Sequence, residues 1–155
     1  MTRVLVVSDS HGDRARLAGI LEINPRARWI IHLGDGAREA EDHLCCLPGK
    51  NICRVSGNCD FDPELAPEAL CKIEGMTVFV CHGHTRGVKH SLSELYYAAR
   101  ERGARLALFG HTHEPLCEER EGLLMFNPGS AHSGSYGVID IDGGEIISAK
   151  HYRLA

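Results

Sequence analysis

The sequence predicts an α/β protein, with residues 1–155 forming one domain. Two observations predict it. Short β-branched runs alternate with segments of helical spacing, the rhythm of strand–helix–strand units that build parallel sheets. The length of 155 residues, with no break in composition, suits a single core.

The elements follow in order. Val4–Val7 is a continuous apolar run bounded by polar turn residues, the pattern of a strand buried on both faces. Asp13–Ile23 carries Leu17, Ile20 and Leu21 at helical spacing, and Asn24-Pro25 stops it. Trp29–Leu33 is the second strand, Ala37–Leu44 a short helix, Pro48-Gly49 a turn and Ile52–Val55 the third strand. Ala69–Ile73 and Met76–Cys81 flank Glu74-Gly75 and read as a hairpin. His82–Lys89 is a loop rich in Gly and His. Ser91–Arg102 is helical, with Ser91 as cap and Glu94 completing a capping box, and Gly103 ends it. Leu106–Phe109 is another buried strand. From Leu116 onward, short apolar segments separated by Glu121-Gly122, Pro128-Gly129 and Gly143-Gly144 predict a β meander.

The formal net charge of −4 gives no support for general nucleic-acid binding, which favours a basic face. A small anionic substrate remains compatible, because bound cations override the local charge. The first apolar run is short and enters an acidic turn, so it reads as a strand rather than a signal peptide. No stretch approaches the roughly 18–20 apolar residues of a membrane span, and a cytoplasmic protein is expected. The seven cysteines include one adjacent pair and no Cys-x-x-Cys, against both a disulfide framework and a zinc knuckle. Most are expected to be small, reduced core residues.

The chemistry lies in five loops, each entered from an apolar strand. They are Ser8-Asp9-Ser10-His11-Gly12, Gly34-Asp35-Gly36, Gly57-Asn58-Cys59-Asp60, His82-Gly83-His84 and Gly110-His111-Thr112-His113. Strand ends line up at one edge of an open α/β sheet, so strands sharing a sheet bring all five loops together. Asp9/His11, His82/His84 and His111/His113 are spaced i, i+2, which in extended backbone points both side chains to one side. Carboxylate, imidazole and amide together suit divalent transition ions such as Mn, Fe, Ni, Co or Zn. Taken singly, each feature is ordinary: an Asp after a strand caps a helix, Gly-Asp makes a turn, and His-x-His is a polar loop. Their occurrence in order, each at a strand end, is what argues for a site. His32, His43, His90 and His151 fall outside the pattern and read as surface or satisfied core histidines.

These motifs resemble the calcineurin-like metallophosphoesterase superfamily, whose pattern runs Asp-x-His, Gly-Asp, Gly-Asn-His-Asp or Glu, Gly-His and Gly-His-x-His. The likeness spans essentially the whole chain. The short length, Gly-Asn-Cys-Asp and the closing Asn127-Pro128-Gly129-Ser130 are most similar to its small YfcE/MJ0936-like phosphodiesterase branch. The resemblance implies a four-layer α/β/β/α sandwich and a binuclear centre. Asp9, His11 and His113 would hold one metal; Asn58, His82 and His111 would hold the other; Asp35 would bridge them. It also implies a phosphodiesterase using two divalent ions, manganese foremost, on a small phosphate ester. Two such ions roughly 3.5–4 Å apart activate a bridging hydroxide for in-line attack on phosphorus. A phosphomonoesterase or nucleotide hydrolase of the same superfamily is one alternative, and an inactive scaffold like a retromer subunit of this fold is another. The branch also leaves a homo-oligomer open.

One position departs from the wider pattern. Cys59 stands where many relatives carry a histidine that serves the leaving oxygen, and Asp60 loses that histidine as its partner. A thiol is a weaker donor and a different acid. His84 is the candidate to supply a proton or hydrogen bond instead, unless the leaving group departs unaided. The catalytic candidates are thus Asn58, Asp60 and His84, with Asn58 and Cys59 facing substrate. Arg86 within reach of a phosphate and His132 at the pocket rim are further expectations.

Overall fold

Val4, Leu5, Val6 and Val7 are fully buried because strand β1 (Thr2–Val7) is packed on both faces. The computed structural model describes residues 1–45 and 47–155. β1 pairs parallel with β2 (Trp29–His32), and β2 pairs parallel with β3 (Asn51–Arg54). Helix α1 (Arg14–Glu22) joins the first two strands and α2 (Ala37–Leu44) the next two. Asp13 caps α1 by accepting the Arg16 N–H at 3.0 Å. β4 (Glu68–Ile73) and β5 (Met76–Cys81) form the expected hairpin. Its turn residues Glu74 and Gly75 sit at φ 51° and 79°, as a type I′ turn requires.

The chain continues through helix α3 (Ser93–Glu101), β6 (Leu106–Leu108), β7 (Leu116–Arg120), β8 (Leu123–Asn127), β9 (Ser135–Asp142) and β10 (Glu145–Arg153). The strands form two five-stranded sheets, ordered β10-β9-β1-β2-β3 and β4-β5-β6-β8-β7. The period-two alternation of β1 divides its load. Val4 and Val6 meet Val78, Val80, Leu106 and Phe126 of the opposing sheet. Leu5 and Val7 pack on Leu17 and Ile20 of α1 and Ala40 and Leu44 of α2. On the far side, Leu95, Ala98 and Ala99 of α3 cover Phe79, Ala107 and Met125. The order of layers is α/β/β/α.

Three expectations need correction. The sheets are mixed rather than parallel, and the strands feeding the five loops are shared between both sheets. The C-terminal strands are not one meander: β7–β8 is a hairpin in one sheet and β9–β10 a hairpin in the other. β8 and β9 are both buried on two faces, so each takes an interior position, β8 beside β6 and β9 beside β1. Finally, α3 begins at Ser93 and not at a Ser91 cap. The Ser91 hydroxyl accepts the Ser93 N–H at 3.3 Å in a local turn, and Leu92 holds the capping position.

The cysteines also differ from expectation. Among those described, Cys81 is buried, Cys53 and Cys71 are half-buried, and Cys45, Cys59 and Cys117 are exposed. Exposure follows placement on loops, helix ends and an edge strand rather than composition. Cys46 lies outside the described residues. No described helix is long and apolar enough to cross a membrane.

Candidate metal centre

Although the five loops come from two sheets, they meet at one edge, where β1, β2, β3, β5 and β6 end. Backbone hydrogen bonds tie them together. Asp9 N donates to Gly34 O at 2.9 Å, His11 N to Asp35 O at 2.8 Å and Gly110 N to His82 O at 2.9 Å. The side chains do not converge by extended geometry, as the i, i+2 spacing suggested. Asp9, His11, Asp35, His111 and His113 all have left-handed backbone, with φ between 45° and 70°. That region is sparsely used by residues with a Cβ and costs of order 1–3 kcal/mol each. Asp and His tolerate it better than most, and such strain clusters at functional sites.

Asp9 is fully buried. Its Oδ2 accepts from Ser8 Oγ at 2.6 Å and from His111 N at 3.1 Å. Its Oδ1 is buried with no hydrogen-bond partner, yet lies 3.2 Å from His113 Nε2 and 3.5 Å from His11 Nε2. Those two ring nitrogens are only 3.1 Å apart. Three donor atoms thus face one point, which is where a cation fits.

A second group forms around His82. Its Nδ1 lies 2.7 Å from Leu33 O, an acceptor, so that nitrogen carries a proton. Its Nε2 also faces only acceptors, Asn58 Oδ1 at 3.0 Å and Asp35 Oδ2 at 3.3 Å. Burial disfavours the charged ring, but the hydrogen bond to Asp35 and the charges of Asp9 and Asp35 outweigh it and raise the His82 pKa, so without metal Nε2 donates to Asp35. A cation can take the place of that second proton. Asp35, His82 and His111 place donor atoms within 4.8 Å of one another. Asp35 Oδ2 is also 3.8 Å from His11 Nε2, so this oxygen lies between the two groups. Burial alone would raise the Asp35 carboxyl, but hydrogen bonds from His82 and the Cys59 N–H outweigh it and hold it well below the carboxylate range.

Asp60 acts on this arrangement from behind. Its Oδ2 accepts the N–H groups of Asp35 and Gly57 at 2.7 Å each, and its Oδ1 those of Gly36 and Ala37 at 3.0 and 2.9 Å. Four hydrogen bonds fill a carboxylate, so its reach is to backbone and not to substrate. Cys59 is exposed, and Asn58 Nδ2 donates to its Sγ at 3.6 Å. Its sulfur joins His11 and Asp35 in a third donor group that the sequence reading did not foresee.

His84 stands at the rim, its ring centroid 5.3 Å from that of His82 and 6.2 Å from that of His111. Its Nδ1 is buried without a partner, and burial pushes its pKa down. Arg86 does not reach the centre. It is paired with Glu68 through Nε at 2.5 Å and Nη2 at 2.8 Å. His132 is exposed, with Nδ1 3.3 Å from Asp13 Oδ2, and only its backbone N–H touches the site, at Asp9 O.

Several supporting residues carry no metal-ligand signature and were passed over in the sequence. Asn127 Nδ2 donates to Gly110 O at 3.1 Å and Thr112 Oγ1 at 3.0 Å, bracing the His111–His113 loop. Ser130 Oγ donates to Asp9 O at 2.8 Å. Their signal in the sequence is the Asn127-Pro128-Gly129-Ser130 motif. Buried His32 joins the Ser10 hydroxyl to the Gly34 N–H at 3.0 and 3.2 Å, a satisfied core histidine that links two ligand loops.

Residues 2–144 match the calcineurin-like phosphoesterase superfamily domain. A probable metallophosphoesterase of Bacillus subtilis, YsnB, is 38% identical over 128 residues, 82% of this chain and 73% of the relative. The Escherichia coli phosphodiesterase YfcE is 29% identical, with 92% of this chain and 89% of the relative covered. Zinc-bound Vps29 of Entamoeba histolytica superposes with a TM-score of 0.76 at 22% identity, covering 99% of this chain and 98% of that one, which shows a common fold. Donor groups at five strand ends, the four-layer architecture and the match over nearly the whole chain agree: the protein belongs to the calcineurin-like phosphoesterase superfamily.

Proposed function

We propose that this protein is a metal-dependent phosphodiesterase working at a binuclear centre. The observation that supports this most directly is the placement of Asp35 Oδ2 between two donor groups, beside the unpartnered Asp9 Oδ1. In this reading Asp9, His11 and His113 hold one divalent ion, Asn58, His82 and His111 hold another, and Asp35 bridges them. Imidazole mixed with carboxylate and amide oxygen suits Mn²⁺, and also Ni, Fe, Co or Zn. Bound ions would supply Lewis-acid charge for the phosphoryl group and a nucleophile from water near neutral pH.

The chain's own residues position and stabilise. The Leu33 carbonyl keeps the His82 proton on Nδ1, leaving Nε2 free as a donor atom. The Cys59 N–H holds Asp35 Oδ1 at 2.8 Å, which turns Oδ2 toward the centre. Asn58 Nδ2 lies on the open side, where it can give its hydrogen bond to a phosphate oxygen. Asp60 is a positioning residue, fixing the backbone on either side of Asp35. His84, beside His82 and His111 at the rim, is the candidate to donate to the leaving oxygen, a task the Cys59 thiol performs less well.

A metal-by-substrate panel on purified protein tests the reading. Chelated protein is expected to be inactive and Mn²⁺ to restore hydrolysis of aryl phosphodiesters in preference to monoesters. Asp35→Asn should lower kcat by about a thousandfold or more while leaving the fold intact. Turnover by metal-free protein would overturn the metal-dependent reading, and a preference for monoesters would favour a phosphomonoesterase.

A further inference from the structure

A cavity of about 620 Å³ opens beside the metal centre, walled by Arg38, Glu41, Cys59, Phe61, Asp62 and Glu64. It is continuous with the centre through Cys59, whose Sγ lies within 4.8 Å of donor atoms of His11 and Asp35. Phe61 is two residues further on, at most about 7 Å along the chain. It is 96% exposed, the most exposed large apolar side chain among those described. Phe61 thus lines the same cavity that Cys59 joins to the centre.

The charge of the walls selects what fits. Arg38 and Glu41, three apart on α2, bring one charge of each sign to the wall. Asp60 lends its charge to four backbone N–H groups. Asp62 and Glu64 then remain around Phe61 as uncompensated carboxylates, with Asp62 Oδ1 accepting the Glu64 N–H at 3.0 Å. An aromatic face flanked by carboxylates attracts an organic cation, through the ring quadrupole and through charge. It repels a group bearing further phosphates.

We propose that this cavity is the subsite for the second ester group of the substrate and that it takes a cationic alcohol, an alkylammonium ethanol. The natural substrate class is then a phosphodiester with one positively charged ester group. This proposal rests on the phosphodiesterase reading above.

Three p-nitrophenyl diesters that differ only in the second group, choline, methyl or thymidine, provide the test. The Mn²⁺-loaded protein is expected to favour the choline ester over the methyl ester in kcat/KM by about tenfold. That ratio should fall to about one in Phe61→Ala and in the double variant Asp62→Asn/Glu64→Gln. Saturation transfer from the Mg²⁺-loaded protein to the N-methyl protons of free choline provides a second readout, expected in the wild type and lost in Phe61→Ala. A ratio near one in the wild type overturns the subsite, as does a choline preference untouched by both variants. A Phe61-dependent preference for the thymidine ester instead overturns the cationic class in favour of a nucleoside. Self-association of the wild type that Phe61→Ala abolishes, with no choline effect, overturns the subsite and reassigns the ring to a subunit contact. Absence of all diester turnover, with choline transfer intact, removes the phosphodiesterase reading and leaves the cation site standing.

Discussion

Acidifying the metal-stripped protein from pH 6.5 toward 4 is expected to remove about 3 kcal/mol of stability through one residue, His32. The ring is fully buried, with Nδ1 accepting the Gly34 N–H and Nε2 donating to Ser10 Oγ. Both nitrogens are satisfied only in the neutral form, since a proton on Nδ1 would face an N–H. Burial pushes the pKa down from 6.5 to about 4, against the opposing fields of Glu39 and Asp60. In the unfolded chain the ring titrates near its ordinary 6.5. The folded-state pKa is the lower one, so the contribution is fully present above pH 6.5 and is lost as pH falls to about 4. At 1.36 kcal/mol per unit, that interval amounts to ~3 kcal/mol. The assay is urea unfolding followed by circular dichroism between pH 7.5 and 4, for wild type and His32→Gln. The variant keeps a neutral donor and acceptor but no titrating ring. Every other ionisable side chain is common to both proteins, so the difference reports on the ring at position 32. The wild-type advantage at pH 7.5 should shrink by ~3 kcal/mol as the pH reaches 4. A gap that stays constant or widens would refute the reasoning.

Two further perturbations follow from the same geometry. Asp60→Ala leaves four backbone N–H groups without their acceptor and should cost about 2–4 kcal/mol in urea unfolding, with weaker Mn²⁺ binding by calorimetry; unchanged metal affinity would deny Asp60 its positioning role. Gly34→Ala puts a Cβ 2.6 Å from Gly57 N at φ +102°, whereas Gly103→Ala at φ +72° meets nothing within 4 Å. The first should abolish cooperative thermal unfolding or lower Tm far more than the second, which carries only a left-handed cost of about 1 kcal/mol. Equal losses would mean that the close approach of the two loops at Gly34 does not matter to the fold.

How much of this was legible in the chain depends on the range of the interaction concerned. Val4–Val7, the Glu74-Gly75 hairpin and the Gly103 stop rest on local patterns of burial and backbone preference, and the structure has them where those patterns put them. The candidate ligands were legible because metal chemistry restricts residue type and because each follows a strand. The supporting residues were not. His32 and Ser130 are chemically ordinary, and their roles arise from partners 22 and 121 positions away. From the sequence Asp60 is a catalytic candidate without its histidine partner, and only its four backbone partners show where its charge is spent.

By itself the sequence determined the alternation of elements and the residue types at five strand ends, since both depend on neighbours a few positions apart. Tertiary structure alone decided that β8 and β9 part into different sheets, because two strands buried on both faces each need an interior place. It also decided that Asp9 Oδ1 is left unpartnered and that Asp35 Oδ2 lies between two imidazole groups. Those positions follow from left-handed turns locked by hydrogen bonds between loops of separate sheets, which no spacing along the chain encodes.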